Sequence, residues 1–116
     1  MKKAKPIIPH PVTLRVLDVS TGHITEQDNE LLFGLSDCDP VTFLYRIPTG
    51  ESLVHCISTG YGYLVVLTDN GVKKAKAFGF SKQFVKILRY AEGQGFYAIM
   101  FDRDGTGYEE LTTYNW

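Results

Sequence analysis

The stretch YLVVLTDNGVKKAKAF (residues 63–78) decides how large a sheet this chain builds. Its first half, YLVVLT, is the most apolar segment with strand composition and reads as a central strand, since a strand covered on both faces need not alternate. Asp69-Asn70-Gly71 then has the composition of a type I′ hairpin turn, whose two central residues take positive φ. On that reading, residues 72–78 return as a partner strand.

Working upstream, residues 41–47 alternate Val41, Phe43, Tyr45 and Ile47 against Thr42, Leu44 and Arg46, the period of a strand. Pro48-Thr49-Gly50-Glu51 is turn chemistry, so residues 52–58 should pair back as a hairpin. Residues 13–19 (TLRVLDV) form a further expected strand, followed by the turn Ser20-Thr21-Gly22-His23. Thr25-Glu26-Gln27-Asp28 has the form of a capping box and opens a helix to about Leu35. That helix should bury Leu31, Leu32 and Leu35, and it leaves Phe33 on the polar side with Glu26 and Glu30.

Downstream, Ser81 is placed to cap a helix over residues 82–92. Phe84, Val85, Leu88 and Ala91 form its buried stripe, and Lys82, Lys86 and Arg89 share the opposite face. Residues 96–101 read as an internal strand and residues 111–116 as a short edge strand. The expectation is an α+β fold, with an antiparallel or mixed sheet of about five to six strands and two helices packed on it. Residues 1–11 read as an extended arm and 12–116 as a single domain.

Composition narrows the function classes. With 44% hydrophobic and 22% charged residues, this is the make-up of a folded domain and not of a disordered chain. A net charge of −1 gives no global pull toward nucleic acid or anionic lipid, so nucleic acid is a disfavoured partner. The charge is nevertheless uneven. Lys73, Lys74, Lys76, Lys82, Lys86 and Arg89 follow one another with no acid between, and acids collect at 26–39 and 102–110. Cys38 and Cys56 form no CxxC pair and read as free thiols of a reducing compartment. No apolar run is long enough to span a bilayer, and Pro6, Pro9 and Pro11 interrupt any signal-peptide core, so a cytoplasmic location is expected.

Two turns carry the chemistry. The run Ala98 to Thr106 (AIMFDRDGT) is an apolar strand ending in D-x-D-G-T and looks like the first motif of haloacid-dehalogenase-type phosphatases. That resemblance implies Asp102 as nucleophile, Asp104 as acid/base and Mg²⁺ as charge neutraliser. In that family further aspartates, a lysine and a serine or threonine follow, whereas ten residues follow Thr106 here. The plainer reading is a strand running into an acidic, glycine-containing turn. Asp102 and Asp104 could also give oxygen donors to Mg²⁺ or Ca²⁺, although EF-hand spacing is absent, and no cofactor is expected.

The other turn holds Ser20, Thr21, Gly22 and His23 before a helix N-terminus, where backbone N–H groups suit a phosphate or carboxylate. Arg103 and Gly105 would complete that ligand set from the Asp102 turn. None of His10, His23 and His55 has zinc-site spacing.

Three segments together resemble a known family. They are Ser20-Thr21-Gly22-His23-Ile24-Thr25-Glu26, Tyr61-Gly62-Tyr63-Leu64-Val65, and Phe101-Asp102-Arg103-Asp104-Gly105 followed by Leu111 and Tyr114-Asn115-Trp116. The combination resembles an uncharacterised bacterial family, domain of unknown function 5983, seen on plasmids, prophages and other mobile elements. The family ends in Tyr-Asp-Trp where this chain has Tyr114-Asn115-Trp116. The resemblance implies an accessory protein of mobile DNA and no particular activity.

Two functions follow as expectations. In the first, the domain binds a host or phage protein, as an antagonist of host defence, through Phe33, Lys82, Lys86, Arg89, Tyr114 and Trp116. In the second, Asp102, Asp104, His23, Ser20 and Thr21 surround a small-ligand or hydrolytic site. The first is favoured because the catalytic set is incomplete. If the two turns converge at one sheet end, the second ranks first.

Overall fold

The computed structural model describes residues 7–37 and 55–116. Among them run β1 (Val16–Ser20), a 3-10 turn (Thr21–His23), α1 (Glu26–Asp37), β2 (His55–Ser58), β3 (Gly62–Val66), α2 (Gly71–Phe78), α3 (Lys82–Gly93) and β4 (Ala98–Asp102). One sheet takes the order β1-β4-β3-β2, with β1 parallel to β4 and the other pairs antiparallel. The class is α+β with a mixed sheet. Among the described residues there are four strands and three helices, where about five to six strands and two helices were expected. The expected strand at 41–47, its turn at 48–51 and Cys38 lie outside the described residues.

Residues 72–78 are the main correction, because they are helical. A type I′ turn needs positive φ at both central residues. Only Asn70 adopts it, at φ 61°, while Gly71 begins the helix. Lys and Ala favour that state, and Val72 and Ala75, three apart, turn inward together. Gly79, at φ 103°, ends the helix in the left-handed conformation that glycine adopts without penalty. The tail is the second correction. Residues 111–116 form no strand; Tyr114 N–H donates to the Gly22 carbonyl at 2.8 Å and the Trp116 indole N–H to the Ile24 carbonyl at 2.9 Å.

The core lies on the sheet face made by Leu17 and Val19, Ile99 and Phe101, Tyr63 and Val65, which the strand register places side by side. Phe84 of α3 stacks on Phe101 at 5.5 Å and on Phe80 at 4.1 Å, so one aromatic column joins the sheet, α3 and the α2–α3 link. Both long helices start as their sequences require. Asp28 N–H donates to Thr25 Oγ1 and Thr25 N–H to Asp28 Oδ2, each at 3.0 Å, a reciprocal box with Asp in place of Glu. The same carboxylate, buried at 1% exposure, accepts the Ser81 N–H at 2.8 Å and the Ser81 hydroxyl. Ser81 Oγ in turn accepts the Phe84 N–H at 3.2 Å. One buried acid therefore fastens the starts of α1 and α3 together.

Candidate functional site

Because β1 and β4 are parallel neighbours with Ser20 opposite Asp102, the two chemistry-bearing turns leave the sheet at the same end. They meet directly. Ser20 N–H donates to the Thr106 carbonyl at 2.9 Å, and the Asp18 carboxylate accepts both the Thr106 N–H (3.1 Å) and hydroxyl (2.7 Å). An added Cβ on Gly105 would stand 2.7 Å from the Val19 carbonyl oxygen, so the close approach of the second turn to β1 requires glycine.

The convergence uses up most of the polar groups. His23 is buried; its Nε2 accepts the Tyr108 N–H at 2.8 Å, which leaves the ring proton on Nδ1 for the Thr112 carbonyl at 3.0 Å. Ser20 Oγ accepts the Gly22 N–H, the Gly22 carbonyl takes Tyr114, and the Thr21 carbonyl accepts Ile24 N–H. Asp102 Oδ1 accepts the Asp104 N–H at 2.8 Å, closing its own turn. Asp104 and Arg103 point to solvent, paired loosely at 3.9 Å, with the guanidinium 5.1 Å over the Tyr61 ring. Among the described residues no three His, Cys, Asp or Glu side chains stand together as a metal site. What the turns build is a hydrogen-bonded clasp.

Open space lies beside the clasp. A groove of about 440 Å³ runs between β1 and α3, with Leu17, Val19, Ile87 and Leu111 as apolar lining and Tyr90 and Tyr108 as aromatic lining. Lys86 and Glu110 supply its charges. Its volume falls in the range of sites that hold a small ligand or a few side chains.

The groove borders an open strand edge. Tyr97 N–H donates to the Arg15 carbonyl, so Arg15, Leu17 and Val19 turn their backbone groups to β4, and Val16, Asp18 and Ser20 turn theirs outward. Ser20 N–H is taken by Thr106 and the Asp18 carbonyl by the Tyr108 hydroxyl at 2.8 Å. The Val16 N–H and C=O and the Asp18 N–H have no partner among the described residues. Apolar side chains continue along this line, with Val12, Leu14 and Val16 exposed at 91, 63 and 47%.

Of the other anticipated contact residues, Lys82, Lys86 and Arg89 gather on the outer ridge of α3. With Lys76, Phe80 and Val85 they line a second concavity of about 440 Å³, and Lys86 borders both spaces. Phe33 is exposed on α1 and lines neither space. Tyr114 and Trp116 fasten the tail to the Gly22–Ile24 backbone. Sequence reasoning passed over Leu17, Ile87, Tyr90 and Leu111 as ligand-contact residues. The usable signal was that Ile87 and Tyr90 fall on a third face of α3, between its buried and cationic stripes. Cys56, on β2, donates its thiol to the Leu32 carbonyl at 3.7 Å, and burial pushes its pKa up to about 12.

Compared with known protein families, residues 16–116 fit the family model described as "Family of unknown function (DUF5983) C-terminal domain". No curated protein and no solved structure matches the chain. That match covers β1, the clasp, the groove and the tail, and by it the chain belongs to the family of unknown function DUF5983.

Proposed function

We propose that this domain works by docking a protein partner along β1, with an extended segment of the partner adding to the strand edge and seating an apolar side chain in the adjoining groove. The observation that carries this reading is the pairing of outward backbone groups at Val16 and Asp18, unbonded among the described residues, with an apolar groove between the same strand and α3. Strand addition draws affinity from main-chain hydrogen bonds and specificity from pockets for alternate side chains, and both elements stand side by side here. The mobile-DNA setting implied by the family resemblance makes the partner a host or phage protein, and antagonism of host defence one outcome of that binding.

The convergence of the two turns favours a second reading, a small-ligand or phosphate site. It ranks below docking because His23, Ser20 and the Asp102 turn already bond to one another and to the tail.

The test is capture of partners from host lysate by the tagged chain, its Val16→Pro variant and its Tyr90→Asp variant. Proline at an edge position removes an outward N–H that the fold does not use. A stoichiometric protein bound by the parent and lost from both variants supports docking. A protein retained by both variants sinks it, and recovery of the chain alone turns attention to a metal and phosphate screen.

A further inference from the structure

Resting on that docking reading, we infer that the segment the groove accepts is acidic as well as apolar: an extended peptide that places an aliphatic or aromatic side chain between Leu17 and Ile87 and carboxylates on the ridge of α3. Among the described residues, Lys76, Lys82, Lys86 and Arg89 make no ion pair or hydrogen bond with the protein. They surround one concavity whose floor, Phe80 and Val85, is apolar and nearly covered. Lys86 borders this concavity and the groove alike, so a chain lying in the groove has its next residues within reach of Lys86, then of Lys82 and Arg89 on the same helix face.

The chemistry selects peptide carboxylates over other anions. Single-stranded nucleic acid needs exposed aromatic faces beside its cations. In the concavity that the cations surround, the lining ring is Phe80, which packs against Phe78 and Phe84 at 6.1 and 4.1 Å and shows little surface, while Tyr90 and Tyr108 line the groove and not that concavity. A lipid surface would meet Glu110, which lines the groove alongside Lys86. That same acid, with Glu109, repels a carboxylate at the tail side and directs the acidic residues toward α3.

The experiment is selection of random nonapeptides displayed on phage against the full-length chain, followed by titration of the recovered synthetic peptides. The comparison proteins are the parent, Lys82→Glu/Lys86→Glu/Arg89→Glu and Tyr90→Ala. All four positions are exposed, so these variants keep the parent's circular dichroism. Expected are peptides carrying Asp or Glu within a few residues of an apolar anchor. Their Kd should rise about tenfold or more on charge reversal and rise steeply with salt, and Tyr90→Ala should weaken every peptide regardless of charge. Peptides without acidic bias, insensitive to charge reversal but weakened by Tyr90→Ala, overturn the inference and leave docking standing. No recovered peptide, or peptides indifferent to Tyr90→Ala, overturns both. Tighter binding of a single-stranded 20-mer oligonucleotide or of anionic vesicles overturns the acidic-peptide assignment. So does self-association abolished by the triple reversal, which would make a second copy the occupant.

Discussion

Single residues at the clasp and in the sheet interior carry sharp, local consequences. Gly62 lies opposite Asp102 in the β3–β4 ladder, and a Cβ there would fall 1.8 Å from the Phe101 carbonyl oxygen. Gly62→Ala should therefore cost about 3 kcal/mol or more in urea unfolding. Gly60→Ala, at φ 86° with open space around it, should cost only about 1–2 kcal/mol. His23→Phe strands the Tyr108 N–H and takes one of two donors from the Thr112 carbonyl, which keeps Gln83 Nε2 at 2.7 Å. A loss of about 1–3 kcal/mol is expected, with faster amide exchange at Tyr108.

Cys56 provides a pH signature. Its thiol is held neutral to about pH 12 in the folded chain against an ordinary value of 9.0, because burial disfavours the thiolate. Between these values the unfolded chain has released a proton that the native chain keeps, so stability falls as pH rises from 9 toward 12. In a Cys38→Ser background, iodoacetamide should label Cys56 far more slowly in buffer at pH 8 than in urea. Equal rates would contradict its burial.

At the scale of elements, the two long helices depend on one carboxylate. Asp28→Ala removes the α1 capping box and the acceptor of the Ser81 N–H together, so a loss of about 3 kcal/mol is expected from thermal or urea unfolding. Asp28→Asn should recover part of it. The capping box was legible in the sequence because it joins residues three apart. The second bond was not, because Ser81 stands 53 positions away and comes alongside only when α1 and α3 pack. The same contrast explains α2. Asn70-Gly71 suits both a tight hairpin and a helix start with one positive φ, and local composition does not rank them. Residues 72–78 are helical because Ala75 is buried and α2 packs against α3.

Over the whole molecule, Phe84 is the centre of the aromatic column, and Phe84→Ala should cost about 3–5 kcal/mol by opening a cavity between α3 and the sheet. Periodicity alone determined the α+β class, the inward stripe of α3 and its cationic ridge, because these depend on residues within a turn or a strand of one another. The three segments of the family resemblance were likewise readable, and the match over residues 16–116 includes them all. Tertiary structure alone decided that β1 runs parallel to β4, and so that the two turns meet. It also decided that their meeting uses up His23 and the Asp102 turn, because hydrogen-bond partners 85 or more residues apart cannot be paired from spacing. Convergence is therefore a weaker criterion for a ligand site than it looks from sequence: what counts is which polar groups remain unbonded once the turns have met. Among the described residues such groups lie at the β1 edge and on the α3 ridge, two surfaces far apart in the chain that only the packed sheet and helix set side by side.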